Sequence, residues 1–178
     1  MADDDAFSPV WPVARTTTIP RMGDERAMLV AYLDWYRETF ELKCAGVEDR
    51  LSERGLAPST MSLHGLLRHL AAVERWWFRI NFAGERVPML FYSDEHPDQD
   101  FEDLDGDVNE AFETWRSECA LSRAIVDAAE SLDVIGAGPG SPEPFTLRWL
   151  MLRMISEYAQ HDGHADLLRQ AIDGETGA

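Results

Sequence analysis

Only two cysteines occur in the chain, Cys44 and Cys119, far apart and each inside a helix-like pattern. That excludes a disulfide framework and a thiolate zinc site; reduced, partly buried thiols are expected. No apolar run approaches the ~18 to 20 residues of a membrane-spanning helix. The opening Met1-Ala-Asp-Asp-Asp5 is acidic where a signal peptide is basic, so a cytoplasmic protein is expected. Basic residues are scarce as well. Sixteen Lys and Arg stand against 33 Asp and Glu, leaving a net charge of −17. Such a surface repels phosphate backbones and anionic lipid headgroups, which excludes nucleic acid and membrane as expected partners.

Strand alternation of useful length is missing, as is any internal repeat at a fixed period. The glycine-rich Gly136-Ala-Gly-Pro-Gly-Ser-Pro142 lacks the Gly-Lys-Ser/Thr of a phosphate loop and the strands of a dinucleotide fold. An acidic run from Asp94 to Asp107 suggests calcium. Aligning Gly106 with the obligatory glycine of an EF-hand loop, however, puts Phe101 and Phe112 where carboxylates are required. A solvated acidic loop is expected there. The His-Glu-x-x-His of a metalloprotease, the paired Glu-x-x-His of a di-iron bundle and the Gly-x-Ser-x-Gly nucleophile elbow are all absent. Neither cysteine has an evident base beside it.

What is present is a globule. The 178 residues suit one domain with a full core, and 45% are apolar, with six Trp, eight Phe and four Tyr. Residues 1–22, with three prolines and three consecutive threonines, read as an N-terminal arm whose Val10, Trp11 and Val13 offer an apolar patch; residues 23–174 read as the domain. Four amphipathic helices of roughly 20 to 26 residues follow, with long links after the second and third, which predicts an all-α four-helix bundle.

The first helix starts after Asp24, with Met28, Tyr32, Trp35, Thr39, Leu42 and Gly46 on one face. The second opens near Ser59, Thr60 and Ser62 and ends at Gly84. It shows Leu63, Leu66, Leu70, Val73, Trp77 and Ile80 inward, broadened by Leu67 and Trp76. The third runs Val108, Phe112, Trp115, Cys119, Ser122, Val126 and Ala129. The last, capped by Thr146 and ended by Gly174, runs Leu147, Leu150 or Met151, Met154, Tyr158, His161, Ala165 and Leu168.

The chemistry-bearing stretch is Glu157-Tyr-Ala-Gln-His161-Asp-Gly-His164. On a helix, Glu157 and His161 differ by only about 40° around the axis, so both can point at one ion. His69 is the one histidine on another helix placed beside a core stripe, whereas His64 lies about 140° away from it. A His69, Glu157, His161 set leaves coordination positions open on one divalent ion such as Zn²⁺ or Ni²⁺, which lowers the pKa of a bound thiol or water. The bland alternatives are a surface Glu–His pair and a hydrogen-bonded core histidine. His164 is a competing partner of His161, a group behind the ligands, or a helix C-terminal cap near Gly163.

Two runs, Ser62-Leu-His-Gly-Leu-Leu-Arg-His69-Leu-Ala-Ala-Val-Glu-Arg-Trp-Trp-Phe78 and Glu157-Tyr-Ala-Gln-His161-Asp-Gly-His-Ala-Asp-Leu-Leu-Arg169, resemble the DinB-like superfamily. The resemblance extends from about Arg21 to Gly174 and is nearest the branch related to mycothiol-dependent maleylpyruvate isomerase and thiol S-transferases. It implies a four-helix bundle, commonly a homodimer, with one divalent ion on a second-helix histidine and two last-helix residues, here His69, Glu157 and His161. It further implies a low-molecular-weight thiol such as mycothiol as cosubstrate, attacking an electrophile in detoxification or stress response. The isomerase's additional C-terminal domain has no counterpart here, so isomerase activity is not expected. A non-catalytic dimeric metal- or ligand-binding bundle is the alternative, with Trp11, Trp76, Trp77 and Trp149 lining an apolar ligand pocket or a dimer seam. A metal-dependent hydrolase is a weaker one.

Overall fold

The computed structural model describes residues 14–136, 138 and 143–176, and among them every regular element is helical. Strand-like pairing there is limited to the isolated antiparallel bridge Ile135–Thr146. Asp24 caps α1 (Glu25–Cys44) by accepting from the Ala27 N–H. Ser62 likewise accepts from Gly65 N–H to start α2 (Leu63–Glu74), which continues without a break as a π-helix over Arg75–Phe82. The 83–107 connection contains one helical turn, α3 (Gln99–Glu102). Then come α4 (Val108–Ala128), capped by Asp107, and α5 (Leu147–Asp173), capped by Thr146 and closed by Gly174 at φ 85°. Side-chain oxygens at the N-termini of α1, α2, α4 and α5 thus satisfy backbone donors that the helix itself leaves unpaired.

Packing places α1 along α5 and α2 along α4, with α2 and α5 also in contact. Arginines tie the helix ends across this arrangement. Arg26 donates to Val126 O and Ala129 O at the end of α4, and Arg169 to Lys43 O and Ala45 O at the end of α1. Cations at C-terminal carbonyls also match the helix dipole. Among the described residues no helix is long and apolar enough to cross a membrane. Of the expected arm, residues 1–13, including Val10, Trp11 and Val13, lie outside the described residues. Arg15 stacks on Trp35, and Thr16 and Thr17 hydrogen-bond Glu38, so the described part follows α1.

The stripes read from α4 and α5 are largely buried, with Phe112, Trp115, Cys119 and Val126 on the first and Leu147, Met154, Tyr158 and Leu168 on the second, while Val108 and Ala129 are half-buried. On α1 Thr39 is inward as read, but the stripe is otherwise corrected. The buried residues are Leu29, Leu33, Arg37, Thr39, Phe40, Lys43 and Cys44, while Tyr32 is 42% exposed. A charged residue in the middle of the inward row hid the true repeat. On α2 the correction comes from the π-helix, whose wider turn rotates later positions. Phe78 and Phe82 enter the core, and Trp77 and Ile80 are left half-buried.

Arg37 is in the core because Glu74 meets it there. Its Nε and Nη2 donate to the two Glu74 oxygens at 2.8 Å each. The Tyr158 hydroxyl donates to Glu74 Oε1 at 2.8 Å and accepts from Trp115 Nε1 at 2.9 Å, so one polar network joins all four long helices. Cys119 Sγ lies 3.6 Å from both Glu74 Oε1 and Tyr158 Oη. Both thiols are fully rather than partly buried, and burial pushes each well up, away from thiolate chemistry.

Candidate functional site

Contact between α2 and α5 brings His69 of the first against Glu157 and His161 of the second. One donor atom from each lies within 4.8 Å of the others. The convergence is specific in its atoms. His69 Nε2 is 3.3 Å and His161 Nε2 3.4 Å from the same carboxylate oxygen, Glu157 Oε1. The other oxygen, Oε2, accepts from Arg153 one turn earlier on α5. Two imidazole nitrogens and a carboxylate oxygen thus face one point, a donor set that suits a borderline divalent cation. The surface-pair alternative does not describe this geometry, since Glu157 and His161 are each only 8% exposed and a third residue joins them.

Behind His69 stands a group not anticipated from the sequence. Asp100, on α3, lies 2.8 Å from His69 Nδ1 through its Oδ2. The carboxylate holds the ring with Nε2 turned toward Glu157 and His161, the arrangement that orients metal-binding histidines. The acidic stretch is therefore not wholly solvated, and the expectation is corrected at this residue: Asp100 is buried. Gly65 makes the approach of α3 to α2 feasible. A Cβ there would sit 2.8 Å from Phe101 Cδ1 and 3.4 Å from its Cα. Phe101 in turn lies against the His69 ring, with centroids 5.2 Å apart.

His164 lies beyond the triad. Its Nδ1 is 3.3 Å from Nδ1 of His161, on the side of that ring away from Glu157's contact through Nε2. The cap assignment near Gly163 is overturned, because α5 continues to Asp173. His64 turns to Ser52, Nδ1 to Oγ 3.0 Å, and takes no part.

Asp100 and Glu157 together favour positive charge on the His69 ring between them. Burial pulls the His69 imidazolium down, but hydrogen bonds and charge from Asp100 and Glu157 reverse this and lift it to about 9. Hydrogen bonds from His161 and His69, aided by Arg153 against the effect of burial, hold the Glu157 carboxyl far below the usual range. Glu157 is thus a carboxylate at any physiological pH.

The site is not sealed. His69 and Asp100 form one wall of a cavity of about 360 Å³, whose remaining walls include Trp76, Met89, Phe91 and Tyr92. The tryptophans part company here. Trp76 turns to this cavity, whereas Trp77 and Trp149 form a separate cluster with Phe145 at centroid distances of 5.3–5.5 Å. Trp11 lies outside the described residues.

A family model described as mycothiol-S-transferase matches residues 28–174. No curated protein gives a significant match. The match takes in every helix from the first turn of α1 to the end of α5, and with it His69, Asp100, Glu157 and His161. The chain belongs to the mycothiol-S-transferase family, a DinB-like family.

Proposed function

We propose that this protein is a divalent-metal-dependent thiol S-transferase, joining a mycothiol-type thiol to an electrophilic small molecule in detoxification or stress response. His69, Glu157 and His161 hold one ion, Zn²⁺ or Ni²⁺, on a single four-helix-bundle domain of residues 23–174 behind an arm of residues 1–22. The protein works in the cytoplasm as a homodimer, on small molecules rather than nucleic acid or membranes. The observation that carries this reading is the convergence of three donors, one of which, His69, lines a cavity.

The residues divide the work. Asp100 fixes the His69 ring with Nε2 forward, and Arg153 occupies Glu157 Oε2, so that Oε1 is presented to the two imidazoles. His164 steadies the far edge of the His161 ring. When bound, the ion supplies the positive charge that favours thiolate over thiol at neutral pH, with positions left open by only three protein donors. Ala72, Val73 and Trp76 give the cavity beside His69 an apolar wall.

Thermal unfolding with and without ion and thiol tests the assignment. Stabilisation by a mycothiol-type thiol only when zinc or nickel is present is the expected result. Stabilisation by the ion but by no thiol would favour the non-catalytic binder, and turnover of an ester or amide that ignores added thiol would favour the hydrolase. The role of Asp100 has its own measure. Asp100→Asn weakens ion affinity by about 10- to 100-fold while the fold persists, the usual cost of losing the group behind a metal-bound histidine. Unchanged affinity on chelator competition would reduce Asp100 to a packing contact.

A further inference from the structure

Among the described residues, three Lys or Arg side chains are buried: Arg37, Lys43 and Arg68. Glu74 pairs with the first and Asp166 with the second. Arg68, on α2 and 5% exposed, has no carboxylate bonded to it. Its Nη2 donates to Gln99 O, its guanidinium carbon stacks 4.4 Å from the centre of the Phe91 ring, and its Nε is buried without a hydrogen-bond partner. Charges taken out of water are normally paired, because a carbonyl and a ring face replace only part of the lost hydration. Burial accordingly lowers the guanidinium, despite the charges of Asp103 and Asp100. This point of the fold favours an anion.

A second polar group is in the same condition one turn earlier on α2. His64, 1% exposed, meets Ser52 Oγ through Nδ1, and its buried Nε2 has no partner. Burial and the Arg68 charge lower the imidazole, against Asp107, so the ring is neutral at physiological pH. With the Ser52 hydroxyl donating to Nδ1, Nε2 carries the proton and is a donor. Both residues line one cavity of about 180 Å³, below the ~300 Å³ at which drug-sized sites begin, so its occupant is compact. Asp103, Asp107 and Glu110, all solvent-exposed, line it too. Three carboxylates against one guanidinium disfavour a plain anion. They offer an ammonium group what Arg68 and His64 offer a carboxylate.

We infer that this cavity is a site for a small zwitterion of the free α-amino acid class, its carboxylate held by Arg68 and His64 and its ammonium group by Asp103 and Glu110. Asp107 adds negative charge beside them while capping α4 through the Asn109 N–H. The site shares Phe91 with the cavity beside His69 but none of the triad residues. It therefore stands whether or not the transferase reading does.

Amide-shift NMR titration of the full chain with L-alanine, propionate and ethylamine tests the site, since the last two are alanine without its ammonium group and without its carboxylate. Alanine binds saturably, and each analogue at least about tenfold more weakly, because each leaves one set of charges in the cavity unmatched. Arg68→Met weakens alanine by at least about tenfold. It removes the buried charge together with its binding role, so the fold persists. Asp103→Asn combined with Glu110→Gln, both at exposed positions, erases the preference for alanine over propionate. No saturable binding of alanine, or alanine binding unchanged by Arg68→Met, overturns the site. Propionate binding as tightly as alanine to the unaltered protein makes it a plain anion site and overturns the zwitterion. Should Arg68→Met fail to fold, the double variant decides, and a preference that survives it overturns the inference.

Discussion

His161→Ala weakens zinc or nickel binding by roughly a hundredfold to a thousandfold and leaves the far-UV helical signal intact. A four-ligand structural zinc site is worth about 10–16 kcal/mol, so one ligand accounts for roughly 3–4 kcal/mol. The remaining groups are not stranded by the change. Glu157 keeps His69 on Oε1 and Arg153 on Oε2, and the lost imidazole stood at the edge of the core. The cost in stability is therefore on the order of 1–2 kcal/mol, within the ordinary range for a substitution. Competition against a chelator reads the affinity, and circular dichroism the fold. Unchanged affinity would remove His161 from the ligand set, and loss of the helical signal would make its role structural.

The largest stability effect lies away from the triad, at the buried pair. Glu74→Gln takes from the Arg37 guanidinium, 3% exposed, its fully buried carboxylate and leaves it only Asp34 at 2.9 Å, and costs about 3–5 kcal/mol. That is a large share of the roughly 5–15 kcal/mol that holds a domain together. The double variant Arg37→Met with Glu74→Leu recovers most of this loss, since it removes both charges, and Asp34 retains Arg123 at 2.9 Å. Recovery is incomplete, because the Tyr158 hydroxyl loses its acceptor, a deficit of about 1–3 kcal/mol. Urea unfolding of the three proteins gives the comparison, and a double variant no more stable than Glu74→Gln would contradict it. The pair also sets a sign for pH. Burial raises the Glu74 carboxyl, but the Arg37 charge and hydrogen bonds outweigh it and leave the group lowered from its ordinary 4.5. Its contribution is thus present above that value and lost as pH falls below it.

The stripes of α4 and α5 were legible because their apolar positions repeat unbroken, even though Glu118, Glu157 and Asp162 are buried beside them. On α1 the same counting missed Arg37, a charge that enters the core only because Glu74, 37 positions later, meets it. Periodicity along one helix carries no sign of a partner on another. The π-helical segment misled the count on α2 for a different reason, since a 3.6-residue period assumes a bonding pattern that Arg75–Phe82 does not keep. Of the site, Glu157 and His161 showed themselves by spacing, and His69 by standing beside a stripe. Asp100 did not, being one carboxylate in a run of many. The local hint was Gly65, a poor helix former inside α2 that makes sense only once α3 is seen to press on it.

Conjugation rate measured against ion content tests the central claim most directly. The protein is stripped with a chelator, reloaded in steps with zinc or nickel, and assayed at each step with a mycothiol-type thiol and 1-chloro-2,4-dinitrobenzene. The rate above the uncatalysed background rises in proportion to bound ion, saturates at about one ion per chain, and is absent from Glu157→Ala and His161→Ala at every loading. A rate that survives stripping, or that rises equally in the two variants, would contradict the assignment of His69, Glu157 and His161 as the centre of the reaction.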